Sequence, residues 1–298
     1  MACEGDVMKQ VAFTIFFLTL LLSFCVTNMA FARQSFVSIN VDTPPIIDGE
    51  INEQVWLNIK PISIKDQASG ALISLRSVYS DDKIYFSVLF RDKAENLLHK
   101  PWIWNKGKEA YETGDHREDT FVFKWNMTDK NVDLSNFSDE NYKADVWYWK
   151  ANRTNPAGYA DDKHQELSDS PSKESTAIEN KTGKQRHLAR RSDSGRPAYK
   201  ELKPTELTET LIDRYPQSPP EGSRADVKAQ GKWQNGFWTI EFERKLDTGN
   251  NDDVQFDISK EYLFGVSIFS LYGRPHDPNS PNLYGRGRIS EPLVLSFQ

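Results

Sequence analysis

The segment Ala144-Asp-Val-Trp-Tyr-Trp-Lys-Ala-Asn-Arg-Thr-Asn-Pro-Ala-Gly-Tyr-Ala-Asp-Asp162 reads as a β-strand running into a turn. Its first half alternates: Val146, Tyr148 and Lys150 point one way, Asp145, Trp147 and Trp149 the other. Asn155-Pro156 and Gly158 break the alternation with turn chemistry, and the segment closes on the adjacent acids Asp161 and Asp162. Two indoles on one strand face, next to Lys150 and Arg153, make a flat apolar wall flanked by cations. Such a wall either covers a planar ligand or belongs to the core.

Outward from this strand, similar short runs recur. Phe36 to Val41, Leu72 to Tyr79, Lys83 to Phe90, Thr120 to Trp125, Phe237 to Arg244, Tyr262 to Leu271 and Leu293 to Phe297 are rich in aromatic and β-branched residues. Ser80-Asp-Asp82 joins two of them as a hairpin. No helical periodicity persists beyond about three turns. The pattern predicts an all-β fold, an antiparallel β-sandwich, in a chain with enough aromatic residues for a large core. Asp48-Gly49 is a turn, with Val55 and Trp56 as core anchors behind it. Residues 163 to about 232 lose apolar periodicity and become polar, which predicts a mobile 163–192 and an irregular, partly ordered 193–230. The basic His187 to Arg191 run, inside this stretch, reads as a solvated loop.

The N-terminus has targeting character. An apolar run from Val11 to Val26 follows Lys9, and Ala30-Phe-Ala32 has the form of a cleavage site. Residues 1–32 are therefore expected to be a signal peptide rather than a stable membrane span. The mature chain, 33–298, is expected to be one domain with a periplasmic or secreted location. Cys3 and Cys25 both lie in the leader, so the mature part offers no thiolate. That excludes disulfides, Cys-ligated zinc, iron–sulfur clusters and covalent haem attachment. A net charge of -6 without a nucleic-acid motif argues against nucleic acid as a partner. Hydrolase, P-loop and dinucleotide motifs are absent. Adjacent acids such as Glu118-Asp119 and Asp161-Asp162 read as turn formers or a cation site before they read as a catalytic pair.

Trp147-Tyr-Trp-Lys-Ala-Asn152, Asn155-Pro156 and Gly158-Tyr-Ala-Asp-Asp162 resemble the haem-binding domain of the ethylbenzene dehydrogenase gamma-subunit family, which includes related domains of some c-type cytochromes. Ile47-Asp-Gly-Glu-Ile-Asn-Glu-Gln-Val-Trp56 and Asp81-Asp82 with Ile84 to Phe90 resemble it as well, and also resemble family-9 carbohydrate-binding modules. The first resemblance implies a non-catalytic, exported β-sandwich that binds haem b non-covalently. It would pass electrons between a molybdenum oxidoreductase and a c-type cytochrome.

In that family a Met on a core strand and a Lys in a turn before the last strand hold the iron. Aligned on Glu118 to Met127, the Met position here is Lys124, and Met127 follows three residues later, available if a bulge re-aims it. Aligned on Tyr284 to Ser290, the Lys position is Gly287, between Arg286 and Arg288. The resemblance thus makes Met127 and Lys124 the candidates for the iron, and Trp147, Trp149 and Tyr159 the pocket lining. Arg153, Arg286 and Arg288 would be the propionate partners. His116 and His276 are loop imidazoles with no spacing to pair them. The alternative is a binding module without redox chemistry. Trp102, Trp104, Trp147 and Trp149 would stack on sugar rings, and acidic side chains would hold a structural Ca²⁺. A haem-free member that kept only the scaffold is the third reading.

Overall fold

The computed structural model describes residues 33–67, 69–269 and 289–298. The predicted strands form with ends within two residues of the expected ones wherever they are described. β1 (Gln34–Asn40), β2 (Ile62–Lys65), β3 (Leu72–Ser80), β4 (Lys83–Arg91), β5 (Trp102–Asn105), β6 (Ala110–Thr113), β7 (Thr120–Asn126) and β8 (Tyr142–Lys150) come first. β9 (Asp161–Ser168), β10 (Ser175–Glu179), β11 (Gln185–Ser192), β12 (Leu211–Ile212), β13 (Lys228–Gln234), β14 (Phe237–Lys245), β15 (Tyr262–Phe269) and β16 (Leu293–Phe297) follow. The one α-helical piece among the described residues is a single turn, α1 (Gln54–Leu57). No helix among them is long and apolar enough to cross a membrane.

Two layers make a β-sandwich. In the first the spatial order is β10-β11-β9-β8-β7-β15-β16-β1, and in the second it is β1-β3-β4-β14-β13, with β2 beside β3. β1 belongs to both: Gln34 to Ser38 pair with β16, and Ile39 and Asn40 pair with β3. These two pairings are parallel, so the sandwich is antiparallel everywhere except at the strand that crosses between its layers. A separate three-stranded sheet, β12-β5-β6, stands apart.

The space between the layers is filled by rings. Phe86 of β4 lies 5.0 Å from Phe123, 5.5 Å from Trp125 and 5.7 Å from Trp147, centroid to centroid. Trp125 stacks on Phe264 at 4.4 Å, and Trp149 meets Trp238 edge-on at 4.9 Å. All four tryptophans are at most 1% exposed. Aromatic contacts of this kind add about 0.5–1.5 kcal/mol per pair to the burial of the rings.

The turn after β8 is part of this packing. Asn155 Oδ1 accepts hydrogen bonds from Trp149 Nε1 (3.0 Å) and Gly231 N (2.6 Å), while Asn155 Nδ2 donates to Gly231 O at 3.0 Å. A Cβ at residue 231 would come within 2.5 Å of the Trp149 ring, so glycine is required there. Gly158 supplies the left-handed φ of +80° that ends the turn. Asp48-Gly49 and Trp56 likewise converge on one carboxylate. Glu241 of β14 accepts from Trp56 Nε1 at 2.6 Å, Asp48 N at 3.0 Å and Gly49 N at 2.8 Å. Burial pushes the Glu241 carboxyl up to about 7 against the pull of these donors. Glu241→Ala is expected to cost about 3 kcal/mol, because it strands the buried indole and amide donors. Urea melts of variant and parent measure that loss.

The expectation for 163–192 is corrected. Rather than a mobile segment, it supplies β9, β10 and β11 at one end of the first layer. Only Leu167, Leu188 and Ala189 bury an apolar side chain there, too few to register as periodicity. Backbone pairing to β8 holds the rest in register. The basic run from His187 to Arg191 is thus strand rather than loop. Apart from the two-residue β12, residues 193–227 are irregular, with a 3₁₀ turn at Gly222–Ala225 and isolated bridges Arg196–Glu221 and Tyr199–Gln217.

Candidate functional site

β8 alternates as its sequence requires, with an unexpected result for its two faces. Trp147 and Trp149 point between the layers and are fully buried among the protein's own rings. They cover no ligand slot, and this corrects their reading as pocket lining or as a sugar platform. Trp102 and Trp104 sit half-buried on the separate sheet, where the Arg214 guanidinium lies 4.5 Å from the Trp102 ring.

The opposite face of the first layer carries a cavity of about 400 Å³. Its floor consists of Val122 and Lys124 of β7, Val146, Tyr148 and Lys150 of β8, and Lys163 and Gln165 of β9. Arg190 and Arg191 of β11 line one side, and Arg153, Tyr199 and Ile289 come from the connections around it. Six cations line this space, and no acidic side chain among the described residues does.

The cations differ in how they are held. Lys150 is ion-paired with Asp161, which also binds Arg224 and lies 3.3 Å from Lys163. Burial opposes ionisation of Asp161, but Lys150, Lys163 and Arg224 together hold its carboxyl below the usual range. Burial outweighs the attraction of Asp161 on Lys150 and brings that amine down to about 8. Arg153 is clamped by Glu118, which also accepts from Asn152 N at 2.8 Å and Arg153 N at 2.9 Å. The Arg153 guanidinium then lies over the Tyr199 and Tyr215 rings at 5.5 and 5.4 Å.

Lys124 differs from these. It is 4% exposed, and among the described residues it has no carboxylate partner within ion-pair distance. Its Nζ donates to Tyr142 Oη at 2.7 Å, and that hydroxyl donates on to Ser135 O at 3.1 Å. Burial, reinforced by Arg190, lowers the amine to about 7. A neutral amine keeps a lone pair free for an electrophile or a metal.

The other sequence candidates fall elsewhere. The pairing of β7 with β8 runs unbroken from Thr120–Lys150 to Asn126–Ala144, and Met127 N continues it with a 3.0 Å bond to Lys143 O. No bulge turns Met127 toward Lys124. Met127 instead lines a second, polar cavity of about 460 Å³ with Lys143, His164 and Asp252. Tyr159 pairs with Lys228 and does not line the cationic cavity. His116 is exposed on its loop. Arg286, Gly287, Arg288 and His276 lie outside the described residues. Sequence reading missed Lys150, Lys163, Arg190 and Arg191 as cavity residues. The signal available for Lys150 was alternation, which sets it on the same face as Val146 and Tyr148.

The fold and this cavity define an all-β sandwich protein with a cation-lined recess on the outer face of one layer. The family described as ethylbenzene dehydrogenase matches residues 51–276, and the chain belongs to that family. A family 9 carbohydrate binding module from Caldicellulosiruptor kristjanssonii, solved with glucose, is similar at 10% identity and a TM-score of 0.39, over 88% of this chain and 96% of that one. A Bacteroides uniformis protein described as carbohydrate-binding is similar at 9% identity and a TM-score of 0.40, over 89% and 99%. No curated protein matches the chain.

Proposed function

We propose that this protein is a non-catalytic, exported electron-transfer subunit that holds a haem b non-covalently in the cationic cavity. Family membership supports an oxidoreductase context. The observation that carries the reading is a buried, unpaired amine, Lys124, in a recess lined by six cations and no acid. The residues present fit the group. An amine lowered to about 7 by burial can offer its lone pair to iron near neutral pH, and guanidinium groups suit carboxylates such as propionates. Haem, when bound, would supply reversible one-electron chemistry.

In this reading Lys124 takes the place of the family's Met, and Met127, in a separate cavity, is not the ligand. Arg153, Arg190 and Arg191 orient the carboxylates, with Arg286 and Arg288 as further partners from the last connection. A molybdenum oxidoreductase or a c-type cytochrome would be the redox partner. Cleavage near Ala32 would release the mature domain to the periplasm or the medium.

Titration of the mature protein with haemin tests this. A saturable one-to-one Soret shift, with sharp α and β bands after dithionite, is expected. Arg190→Ala combined with Arg191→Ala should weaken binding about tenfold by removing two charge-assisted contacts. A spectrum identical to free haemin at every ratio would leave the haem-free reading in its place.

A further inference from the structure

We infer that Asp145, Asp162 and Asp253 form a buried site for one Ca²⁺-like divalent cation, separate from the cationic cavity. Asp161 and Asp162 are neighbours in sequence, but β9 turns them to opposite faces: Asp161 to the side of Lys150 and Arg224, Asp162 inward. There it meets Asp145 of β8 and Asp253 of the loop after β14. One carboxylate oxygen from each lies within 4.8 Å of the others. An ion with oxygen ligands at about 2.4 Å spans that distance.

A second observation concerns the individual oxygens. Each of these aspartates has one oxygen engaged by protein. Asp145 Oδ2 accepts from Val254 N at 3.1 Å, Asp162 Oδ1 from Lys163 N at 3.2 Å, and Asp253 Oδ2 from Thr248 Oγ1 at 2.5 Å. The other oxygen of each, Asp145 Oδ1, Asp162 Oδ2 and Asp253 Oδ1, is buried with no donor. All three side chains are at least nine-tenths buried. Buried carboxylate oxygens without donors are costly, and three of them together match the donor set of a hard cation.

Charge points the same way. Arg244 is the cation that contacts the cluster, with guanidinium nitrogens 3.5 Å from Asp145 Oδ2 and 3.2 Å from Asp253 Oδ2. It takes the engaged oxygens and leaves the orphaned ones. Fully ionised, three carboxylates against one guanidinium carry a double negative charge, which one divalent cation neutralises; without that cation, burial and mutual repulsion raise Asp145 and Asp162 above the usual carboxylate range. Asp193, paired with His164, and Asp226, bonded by Asn250, add further negative field around it. The hard oxygen donors and lack of imidazole or thiolate in the trio favour Ca²⁺ over zinc or copper.

The test uses the full mature chain, stripped with EDTA and held at one pH. Calorimetric titration with CaCl₂ should give one site per chain. Ca²⁺ at a hundred times Kd should raise Tm by roughly 5 °C. Tb³⁺ should luminesce on indole excitation and be displaced by Ca²⁺, given Trp147 beside Arg244 at 5.1 Å. Asp162→Asn, which removes one charge from the cluster, should fold in EDTA at least as stably as the parent and lose the Ca²⁺ shift. Asp253→Asn is the second variant, with the same expectation for Ca²⁺ binding. Asp252→Asn should keep the shift. A parent indifferent to Ca²⁺, or an Asp162→Asn variant that still responds, would overturn the assignment. Neither result touches the haem titration.

Discussion

Arg244→Met should lower the stability of the metal-free protein by about 3–5 kcal/mol, the largest effect expected of any single substitution here. Arg244 is fully buried on β14 and reaches across the core to Asp145 of the facing layer. It also holds Asp253 and donates to Val254 O at 2.9 Å. The attraction of Asp145, Asp162 and Asp253 outweighs burial and holds the guanidinium pKa above its ordinary value. Methionine fills much of the volume but leaves three buried carboxylates facing one another. Urea melts in EDTA measure the loss. Adding Asp145→Asn to Arg244→Met should restore about 1–3 kcal/mol, because the second change removes a charge that the first left unbalanced. Strict additivity of the two changes would show that Arg244 acts through packing on Trp147 and Phe256 instead. Arg244→Lys should fall between parent and Met variant, since an ammonium keeps the charge but not the planar fork.

Lys124→Met should stabilise the ligand-free protein by about 2 kcal/mol at pH 7. An amine buried without a carboxylate partner costs desolvation energy that a thioether does not. The sign of the pH dependence follows from the lowered pKa. The unfolded chain holds the proton up to about 10.5, whereas the folded one releases it near 7. Between those values the unfolded state binds more protons, so the parent gains stability as pH rises, and the penalty of the lysine shrinks. The advantage of the Met variant should therefore be greatest at pH 7 and below and fall as pH rises toward 10. Chemical denaturation at pH 7 and pH 9 checks this. An advantage independent of pH would mean that Lys124 keeps its proton in the fold. The same variant bears on the haem reading: exchanging an amine for a thioether next to iron should shift the reduced bands and raise the midpoint potential.

The eight predicted strands were legible because each carries alternating aromatic or β-branched residues bounded by turn chemistry. β2, β5, β6 and β9 to β13 were not. Their inward positions are few or small, such as Leu167, Leu188 and Ala229, and partners distant in sequence keep them in the sheet. Asn235-Gly236, with φ of 54° and 83°, is a hairpin signal before β14 that sequence reading passed over. The site was legible only in part. Lys124 and Arg153 were singled out and do share a cavity, whereas Trp147 and Trp149, the most conspicuous residues in the segment, are core.

Alternation along the chain dictated the strands and the two-faced character of β8, because these follow from local geometry. Which face of β8 meets the other layer was settled by long-range packing: β4 and β14 bring Phe86 and Phe242 against the indole side. That choice left Tyr148 and Lys150 for the cavity. The gathering of Asp145, Asp162 and Asp253 around Arg244 is likewise invisible along the sequence. Strand pairing brings together carboxylates separated by up to about a hundred residues, and burial then turns ordinary acids into a charge that must be balanced.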